Sequence, residues 1–269
     1  MIALHQQLKR QILSWILILI LAIASNIIGF PNVAHALTQA SLSQSNSHPS
    51  STETSTNSAR DLFRNAYENR YTWDEQFPGY SAEVSIRYDK ALYHGLVRIN
   101  PDLSVATTGI NSEAVRQLVV NQLRMVSIHR KRVPFEAIHG LSTFELEGTD
   151  DTGAVKIQEV GNEMDSHYKV QEQKITQVNR LIGQVAVTVN TLGFIKPPEG
   201  YLAAHYQTTF SDAQTGEVLQ QQDVSDNYDK IGKYFLLARR VIRSSEPGQS
   251  EQDQPPDTLI QFNDFQPLL

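Results

Sequence analysis

The stretch Phe77-Pro-Gly-Tyr-Ser-Ala-Glu-Val-Ser-Ile-Arg-Tyr-Asp89 determines the fold class of this chain. After the Pro78-Gly79 turn, polar residues alternate with a set of apolar ones, which are Tyr80, Ala82, Val84, Ile86 and Tyr88. A period of two places the apolar set on one face of a strand and the polar set on the other. Because a sheet with one wet face is normally antiparallel, the stretch predicts an antiparallel sheet with one covered face.

The rest of the chain supplies eleven further candidate strands. They are Tyr93–Ile99, Leu103–Thr107, Thr143–Gly148, Ala154–Val160, His167–Gln173, Ile175–Ile182, Gln184–Leu192, Tyr201–Phe210, Glu217–Asn227, Tyr234–Ile242 and Thr258–Phe265. Loops rich in Asp, Asn and Gly separate several of them, as hairpins require. No long helical pattern lies between the strands after Leu141. This excludes a parallel α/β fold, which needs a crossover helix for each pair of strands.

Two segments have helical rather than strand periodicity. Ala59–Tyr71 follows a capping residue at Ser58, and Asn111–His129 can be capped by Asn111 or Ser112. Each segment has one apolar face. The predicted fold class is therefore α+β. It is a large curled, half-barrel-like antiparallel sheet with two main helices packed on its concave face, because a sheet of this many strands must curl or split.

The N-terminal region is typical of an exported protein. Residues 1–36 combine the basic pair Lys9-Arg10, an apolar run over residues 12–30 and the A-x-A site Ala34-His35-Ala36, which predicts a cleaved signal peptide. The alternative is an uncleaved membrane anchor at residues 12–30. Residues 37–57 are rich in Ser, Thr and Gln and predict a disordered linker. Residues 58–269 are then expected to form a single domain.

Composition narrows the classes of function. The formal net charge is -6, and removing Lys9 and Arg10 with the signal leaves 21 basic against 29 acidic residues. An acidic chain without a basic stripe is a poor nucleic-acid binder, so no nucleic-acid partner is expected. The absence of cysteine excludes disulfides, thiolate zinc sites and cysteine nucleophiles. We expect a monomer.

No reaction motif is present in the sequence. It contains no H-x-x-H pair, no G-x-S-x-G elbow and no phosphate-binding glycine loop. The paired acids Glu145/Glu147 are interpreted as a solvent-facing strand edge, and Asp226, Tyr228 and Asp229 as parts of a hairpin turn. We therefore expect no enzyme activity, no metal and no cofactor.

The predicted binding residues fall into two groups. Candidates to line a cavity for a hydrophobic ligand are Tyr80, Val84, Ile86, Leu118, Leu123, Phe194 and Tyr201. Candidates to bind a partner are the cations Arg124, Arg130, Lys131 and Arg132. The alternative interpretation of the cations is favourable placement at a helix C-terminus. The alternative for the proline-rich segment around Phe194 and Tyr201 is ordinary core packing.

Three motifs carry a resemblance to a known family. Ala59-Arg-Asp-Leu-Phe63, Ala66-Tyr-Glu-Asn-Arg-Tyr-Thr-Trp73 with Phe77-Pro-Gly-Tyr80, and Tyr228-Asp-Lys-Ile-Gly-Lys-Tyr234 resemble the uncharacterised cyanobacterial and chloroplast family called domain of unknown function 3386. The resemblance transfers no functional residue. Together with the export signal it implies a periplasm or a thylakoid lumen. The order of elements is also similar, at the level of the fold, to periplasmic lipoprotein carriers of the LolA and LppX kind.

These observations lead to two functional hypotheses. The first is an exported, non-enzymatic protein that binds a lipid, an acyl chain or a lipophilic pigment in a carrier-like cavity. The alternative is an assembly or interaction factor for a membrane complex, such as one of photosynthesis, with a membrane-protein partner.

Overall fold

The computed structural model describes residues 58–161, 166–248 and 257–268. A boundary in the chain falls between Ser58 and Ala59, and the fold given below is that of Ala59–Leu269. The predicted signal peptide and linker lie outside the described residues, so they remain predictions. Within the described part of the chain, no helix is long and apolar enough to cross a membrane.

In the described residues, twelve strands form one open, curled antiparallel sheet, which confirms the predicted fold class. The strands are β1 Tyr80–Tyr88, β2 Ala91–Ile99, β3 Val105–Thr108, β4 Thr143–Thr149, β5 Val155–Val160, β6 Ser166–Gln171, β7 Lys174–Ile182, β8 Val185–Ile195, β9 Leu202–Asp212, β10 Val218–Ile231, β11 Tyr234–Ser245 and β12 Thr258–Pro267. Their order is β3-β2-β1-β12-β11-β10-β9-β8-β7-β6-β5-β4. Each predicted strand is present, with its ends shifted by a few residues.

The last strand joins the N-terminal and the C-terminal parts of the sheet. Strand β12 lies between β1 and β11, with Ile260 opposite Ile86 on one side and opposite Arg240 on the other. The N-terminal hairpin and the long C-terminal meander are thereby fused into one sheet. Without β12, the edge of β1 would leave its backbone groups unpaired.

Strand β1 has the alternation that its sequence predicts. Tyr80, Ala82, Val84 and Ile86 are at most 2% exposed, while the intervening side chains face solvent or are half-buried. Tyr88 departs from the pattern, since it is 39% exposed at the strand end. The next two residues, Asp89 and Lys90, both have positive φ and form the hairpin turn to β2.

Three helices occur in the described residues: α1 Ala59–Glu68, α2 Glu113–Arg130 and the short α3 Phe135–His139. The N-cap of α2 is Ser112, whose hydroxyl accepts from the amide of Val115. The prediction that α1 extends to Tyr71 was wrong. The backbone of Tyr71 donates to the carbonyl of Tyr201 at 2.8 Å, and this pairing draws the chain out of the helix.

The apolar core consists of two separate clusters on the concave face. In the first core cluster, the apolar side of α2, with Val115, Val119 and Leu123, packs with β1, β2, β11 and β12. In the second core cluster, α1 and α3 pack on β5 and β6. Its buried members are Ala59, Phe63, Ala66, Tyr67, Phe135, Ile157, Tyr168 and Val170.

Candidate functional site

The central hollow is the part of the concave face that lies between the two core clusters, on strands β7–β10. Directly paired residues of neighbouring strands share a face, so the register identifies the side chains of this surface. They are Arg180, Val187, Val189, Thr191, Tyr206, Thr208, Phe210, Gln220, Gln222 and Val224, with Val178 at the boundary, where it packs against the second core cluster. Helix α1 packs mainly on β4, β6 and β7, and helix α2 mainly on β2 and β3. The principal contacts of α2 therefore lie on one side of the central hollow, and those of α1 lie on the other side and reach its edge at β7.

The C-terminal half of α2 reaches the hollow through two hydrogen bonds to the sheet. Arg240 of β11 donates from Nη1 to Oε1 of Gln122 at 2.7 Å. Arg130, the last residue of α2, donates from Nη2 to the hydroxyl of Tyr228 at 3.2 Å. The guanidinium of Arg130 also lies 5.6 Å from the centre of the Tyr228 ring. The end of the helix is thus fixed over β10 and β11.

A buried ion pair lies beneath this helix end. Asp226 accepts two hydrogen bonds from Arg240, at 2.7 Å from Nε and 2.6 Å from Nη2. The two side chains are only 1% and 5% exposed. The hydroxyl of Tyr228 donates to the same carboxylate at 3.0 Å, and burial raises the pKa of this tyrosine. The prediction that Asp226, Tyr228 and Asp229 belong to a hairpin turn was wrong, since all three lie inside β10.

A second buried network lies on the opposite side of the hollow. Glu159 of β5 contacts Nδ1 of His139 at 2.7 Å and accepts from the hydroxyl of Tyr168 at 2.8 Å. Burial opposes ionisation of Glu159, but its contacts with His139 and Tyr168 outweigh burial and lower the pKa of the carboxyl. Arg180 of β7 donates from Nη2 to the hydroxyl of Tyr168 at 3.0 Å.

His129 lies where the two networks approach each other. The residue has exposed surface. Desolvation, reinforced by the positive charges of Arg130, Arg70, Arg180 and Arg240, lowers the pKa of His129 to about 3. The imidazole is therefore neutral near pH 7, and the surrounding potential is positive.

A cleft of about 380 Å³ opens near the proline-rich loop after β8. Its lining residues are Asn69, Glu172, Lys174, Lys196, Pro197, Pro198, Gly200 and Tyr201. The hydroxyl of Tyr201 donates to the carbonyl of Ala66 at 3.1 Å and accepts from the amide of Ile175 at 3.0 Å. Gly200 has φ of +136°, and a Cβ there would collide with the carbonyl of Asn69. The loop is therefore fixed against α1 by backbone contacts.

Most of the predicted cavity-lining residues belong to the protein core. Tyr80, Val84, Ile86 and Leu123 are at most 2% exposed, and all four pack within the first core cluster. Their neighbours there are other side chains of this chain, so the structure places them outside the central hollow. The proposed ligand contacts of these four residues remain untested.

The other three cavity candidates are less uniform. Leu118 is half-buried on α2. Phe194 is half-buried and makes an edge contact with the ring of Tyr201, at 5.4 Å between centroids. Tyr201 is 7% exposed and lines the cleft. The structure thus brings together Phe194 and Tyr201 but separates them from the candidates on β1 and α2.

The four predicted partner-binding cations divide into two kinds. Arg124, Lys131 and Arg132 are exposed at the end of α2, and Arg132 donates to the hydroxyl of Thr72 at 3.3 Å. Arg130 differs, because it is only 9% exposed and points at Tyr228. Three of the four are therefore available at the surface, and the fourth belongs to the central hollow.

Four charged residues of these networks, Asp226, Arg240, Glu159 and Arg180, were not among the predicted site residues. One signal was available: each occupies a strand position at which its neighbours two residues away are apolar or small, such as Val224 before Asp226 and Ile242 after Arg240. A charged residue on the buried face of a strand indicates that its partner is buried as well. The identity of that partner requires the register of the strands.

No three His, Asp or Glu side chains of the described residues gather as they would around a metal ion. The described site contains carboxylates that are already bound to Arg240 and His139, with arginines beside them. Such an arrangement favours binding of an anion over binding of a cation.

A family model described as "Protein of unknown function (DUF3386)" matches residues 54–268. No curated protein matches the chain. Among solved structures, the crystal structure of MucB in complex with MucA(peri) is 9% identical, with a TM-score of 0.21, over 78% of this chain and 99% of that chain. A DUF1329 family protein from Desulfovibrio piger is 9% identical, with a TM-score of 0.25, over 78% and 93%.

The complex of MucA and MucB from Pseudomonas aeruginosa is 8% identical, with a TM-score of 0.22, over 78% of this chain and 99% of that chain. Similarities of this size carry no inference about function. The family description likewise names no activity. The function must therefore be argued from the residues of the central hollow.

Proposed function

Since the chain belongs to the family described as "Protein of unknown function (DUF3386)", we propose from its own geometry that it is a non-enzymatic protein that binds a hydrophobic ligand in the central hollow. The ligand class is a lipid, an acyl chain or a lipophilic pigment. In this proposal the protein is exported to a periplasm or a thylakoid lumen, as its N-terminal sequence predicts.

The interruption of the apolar core supports this proposal. The two core clusters occupy opposite parts of the concave face, and Val187, Val189, Phe210 and Val224 between them belong to neither. Val189 is only half-buried, and so is Tyr206 beside it. Val187, Phe210 and Val224 are themselves buried, so a ligand would contact mainly Val189 and Tyr206. An acyl chain lying there would gain about 0.8 kcal/mol for each CH₂ group that it buries. About ten such groups would give micromolar affinity.

The direct test is native mass spectrometry of the protein purified from its own host. We expect a co-purifying hydrophobic molecule, and we expect the delipidated protein to bind a fluorescent fatty acid saturably. Recovery of the molecule in chemically altered form would contradict the non-enzymatic part of the proposal. Absence of both the co-purifying molecule and saturable binding would contradict the binding function itself.

A pair of variants localises the ligand. Val189→Glu places a charge on the concave face, whereas Thr188→Glu places it on the opposite face of the same strand. Because an apolar ligand cannot solvate a carboxylate, we expect Val189→Glu to abolish binding and Thr188→Glu to leave it unchanged. Equal behaviour of the two variants would place the ligand outside the central hollow. Thermal melting of both variants checks that each remains folded.

A second candidate function is favoured by the exposed cations Arg124, Lys131 and Arg132. All three lie around the end of α2, and none forms an ion pair with a carboxylate of the described residues. This surface suits an acidic partner, such as a membrane protein whose assembly the chain assists. Charge reversal at the three positions should abolish recovery of that partner from membranes, while reversal at Arg87 and Arg239 should not. Unchanged recovery would exclude this function for the surface.

A further inference from the structure

Arg130 is a buried cation that has no carboxylate partner among the described residues. It is 9% exposed, and its hydrogen bonds go to the hydroxyl of Tyr228 and weakly, at 3.4 Å, to the carbonyl of His129. Its Nε is buried and without a partner. The closest bonded network contains Asp226, but Arg240 already binds both oxygens of that carboxylate. Burial of an uncompensated charge is costly, so the site lacks one negative charge.

Arg180 repeats the arrangement on the other side of the hollow. It donates to the hydroxyl of Tyr168, and that hydroxyl donates to Glu159, which is in contact with His139. The Nε of Arg180 is likewise buried and without a partner. Each arginine therefore meets a tyrosine hydroxyl in place of a carboxylate. A tyrosine hydroxyl satisfies one donor but neutralises no charge.

The two arginines face a common space. Both are close enough to His129 for their charges to contribute to the lowered pKa of the imidazole. Arg130 reaches this space from the end of α2, and Arg180 reaches it from the concave face of β7. An anion beside His129 would supply acceptors for the two Nε donors. It would offset the charge of Arg130, whereas Glu159 already lies one hydroxyl away from Arg180. Guanidinium groups suit a phosphate because they donate several bonds in a fixed plane.

Apolar side chains begin immediately beside this basic region. Val178 lies two residues before Arg180 on the same face of β7, opposite Val189 of β8, and is half-buried where it borders the second core cluster. Val187 lies directly opposite Arg180 itself. A ligand that fits this surface is therefore amphiphilic, with a negative group at the arginines and a hydrocarbon part along the valines.

Building on the proposed function, we propose that the central hollow selects an anionic lipid, whose phosphate head group contacts Arg130 and Arg180 and whose acyl chain lies along Val178 and Val189. The charge is the determinant of selection. A zwitterionic lipid would add a quaternary ammonium group to a region that already carries excess positive charge.

The test uses the full-length, delipidated protein and vesicles of either phosphatidylglycerol or phosphatidylcholine, with the protein-bound lipid measured by mass spectrometry. We expect extraction of phosphatidylglycerol to exceed that of phosphatidylcholine about tenfold or more. The variant Arg130→Gln/Arg180→Gln should lose this preference and extract both lipids equally. The control variant Arg124→Gln/Arg132→Gln removes two exposed cations near the same helix end and should keep the preference.

The outcomes separate this inference from the function on which it rests. If the wild-type protein extracts neither lipid, the proposed function fails. If it extracts both lipids equally, and the Arg130→Gln/Arg180→Gln variant behaves like wild type, binding stands and the anionic selection fails. If inorganic phosphate alone displaced bound phosphatidylglycerol, the proposal of a lipid ligand would be overturned and the ligand would be a free anion.

A measurement on the wild-type protein tests the same inference without relying on the folding of a variant. The His129 imidazole can be titrated by nuclear magnetic resonance with and without bound phosphatidylglycerol. A phosphate beside the ring favours the charged imidazolium, so the pKa of His129 should rise on binding. Phosphatidylcholine should produce a clearly smaller rise. An unchanged His129 titration in the presence of bound phosphatidylglycerol would place the head group elsewhere and overturn the inference.

Discussion

Replacing Asp226 with alanine should be one of the most destabilising single changes in the sheet. The substitution leaves Arg240, which is 4% exposed, as a buried charge whose remaining hydrogen bond within the described residues is the one to Gln122. Breaking one partner of a buried ion pair typically costs about 3–5 kcal/mol. For a domain of this size each kcal/mol lowers the melting temperature by roughly 2–4 °C. We therefore expect Asp226→Ala to lower the melting temperature by about 6–20 °C.

The assay is thermal and urea unfolding followed by circular dichroism, with Asp223→Ala as the matched control. Asp223 lies on the opposite face of the same strand and pairs with His205 and Arg243 at a half-exposed site. Half-exposed pairs of this kind contribute little, so this control should lose less than about 1 kcal/mol. The double variant Asp226→Leu/Arg240→Met should recover most of the stability, because it removes both charges. Equal losses for Asp226→Ala and Asp223→Ala would refute the assignment of a buried, coupled pair.

Three further predictions concern the packing around the central hollow. The pKa of Glu159 is lower in the folded protein than its unfolded value of about 4.3, so ionised Glu159 stabilises the fold. This contribution to the free energy of unfolding is complete above the unfolded pKa and is lost as the pH falls through the lower folded pKa. The free energy of unfolding of wild type should therefore approach that of Glu159→Gln between pH 7 and pH 3, and a constant difference would contradict this. Tyr201→Phe leaves the Ala66 carbonyl and the Ile175 amide without their partner and should cost about 1–3 kcal/mol in urea unfolding, whereas Tyr88→Phe, at an exposed site, should cost almost nothing. Leu123→Ala should cost about 2–5 kcal/mol if the residue is core, and a loss no larger than that of half-buried Leu118→Ala would indicate a cavity at Leu123.

The ends of the helices show which features can be predicted from the local sequence and which cannot. The cap at Ser112 and the end of α2 near Arg130 follow from short-range signals, and the structure agrees with them within a few residues. The end of α1 does not follow from such signals, because the helical pattern continues to Tyr71. That helix ends early because the backbone of Tyr71 pairs with Tyr201, a contact across 130 residues that no local pattern contains.

The residues of the candidate site could be predicted only in part from the sequence, because their contacts are also long-range. Alternation identified the apolar face of β1, and the structure shows that this face is filled by α2. The cation cluster near Arg130 was recognised, but its division into exposed residues and one buried residue depends on the position of Tyr228. The curvature of the sheet determines whether an apolar face is covered by a helix or lines the central hollow.

The sequence by itself determined the class of the fold: twelve strands with period-two alternation, two main helices and the turns between them. Each of these features depends on residues a few positions apart. Only the tertiary structure decided that β12 lies between β1 and β11, and that Asp226 pairs with Arg240 while Arg130 and Arg180 donate to tyrosine hydroxyls. The physical reason is that charge compensation depends on strand register and on distances across the sheet. Those distances are fixed by the sum of many long-range contacts, and no single stretch of the chain encodes them.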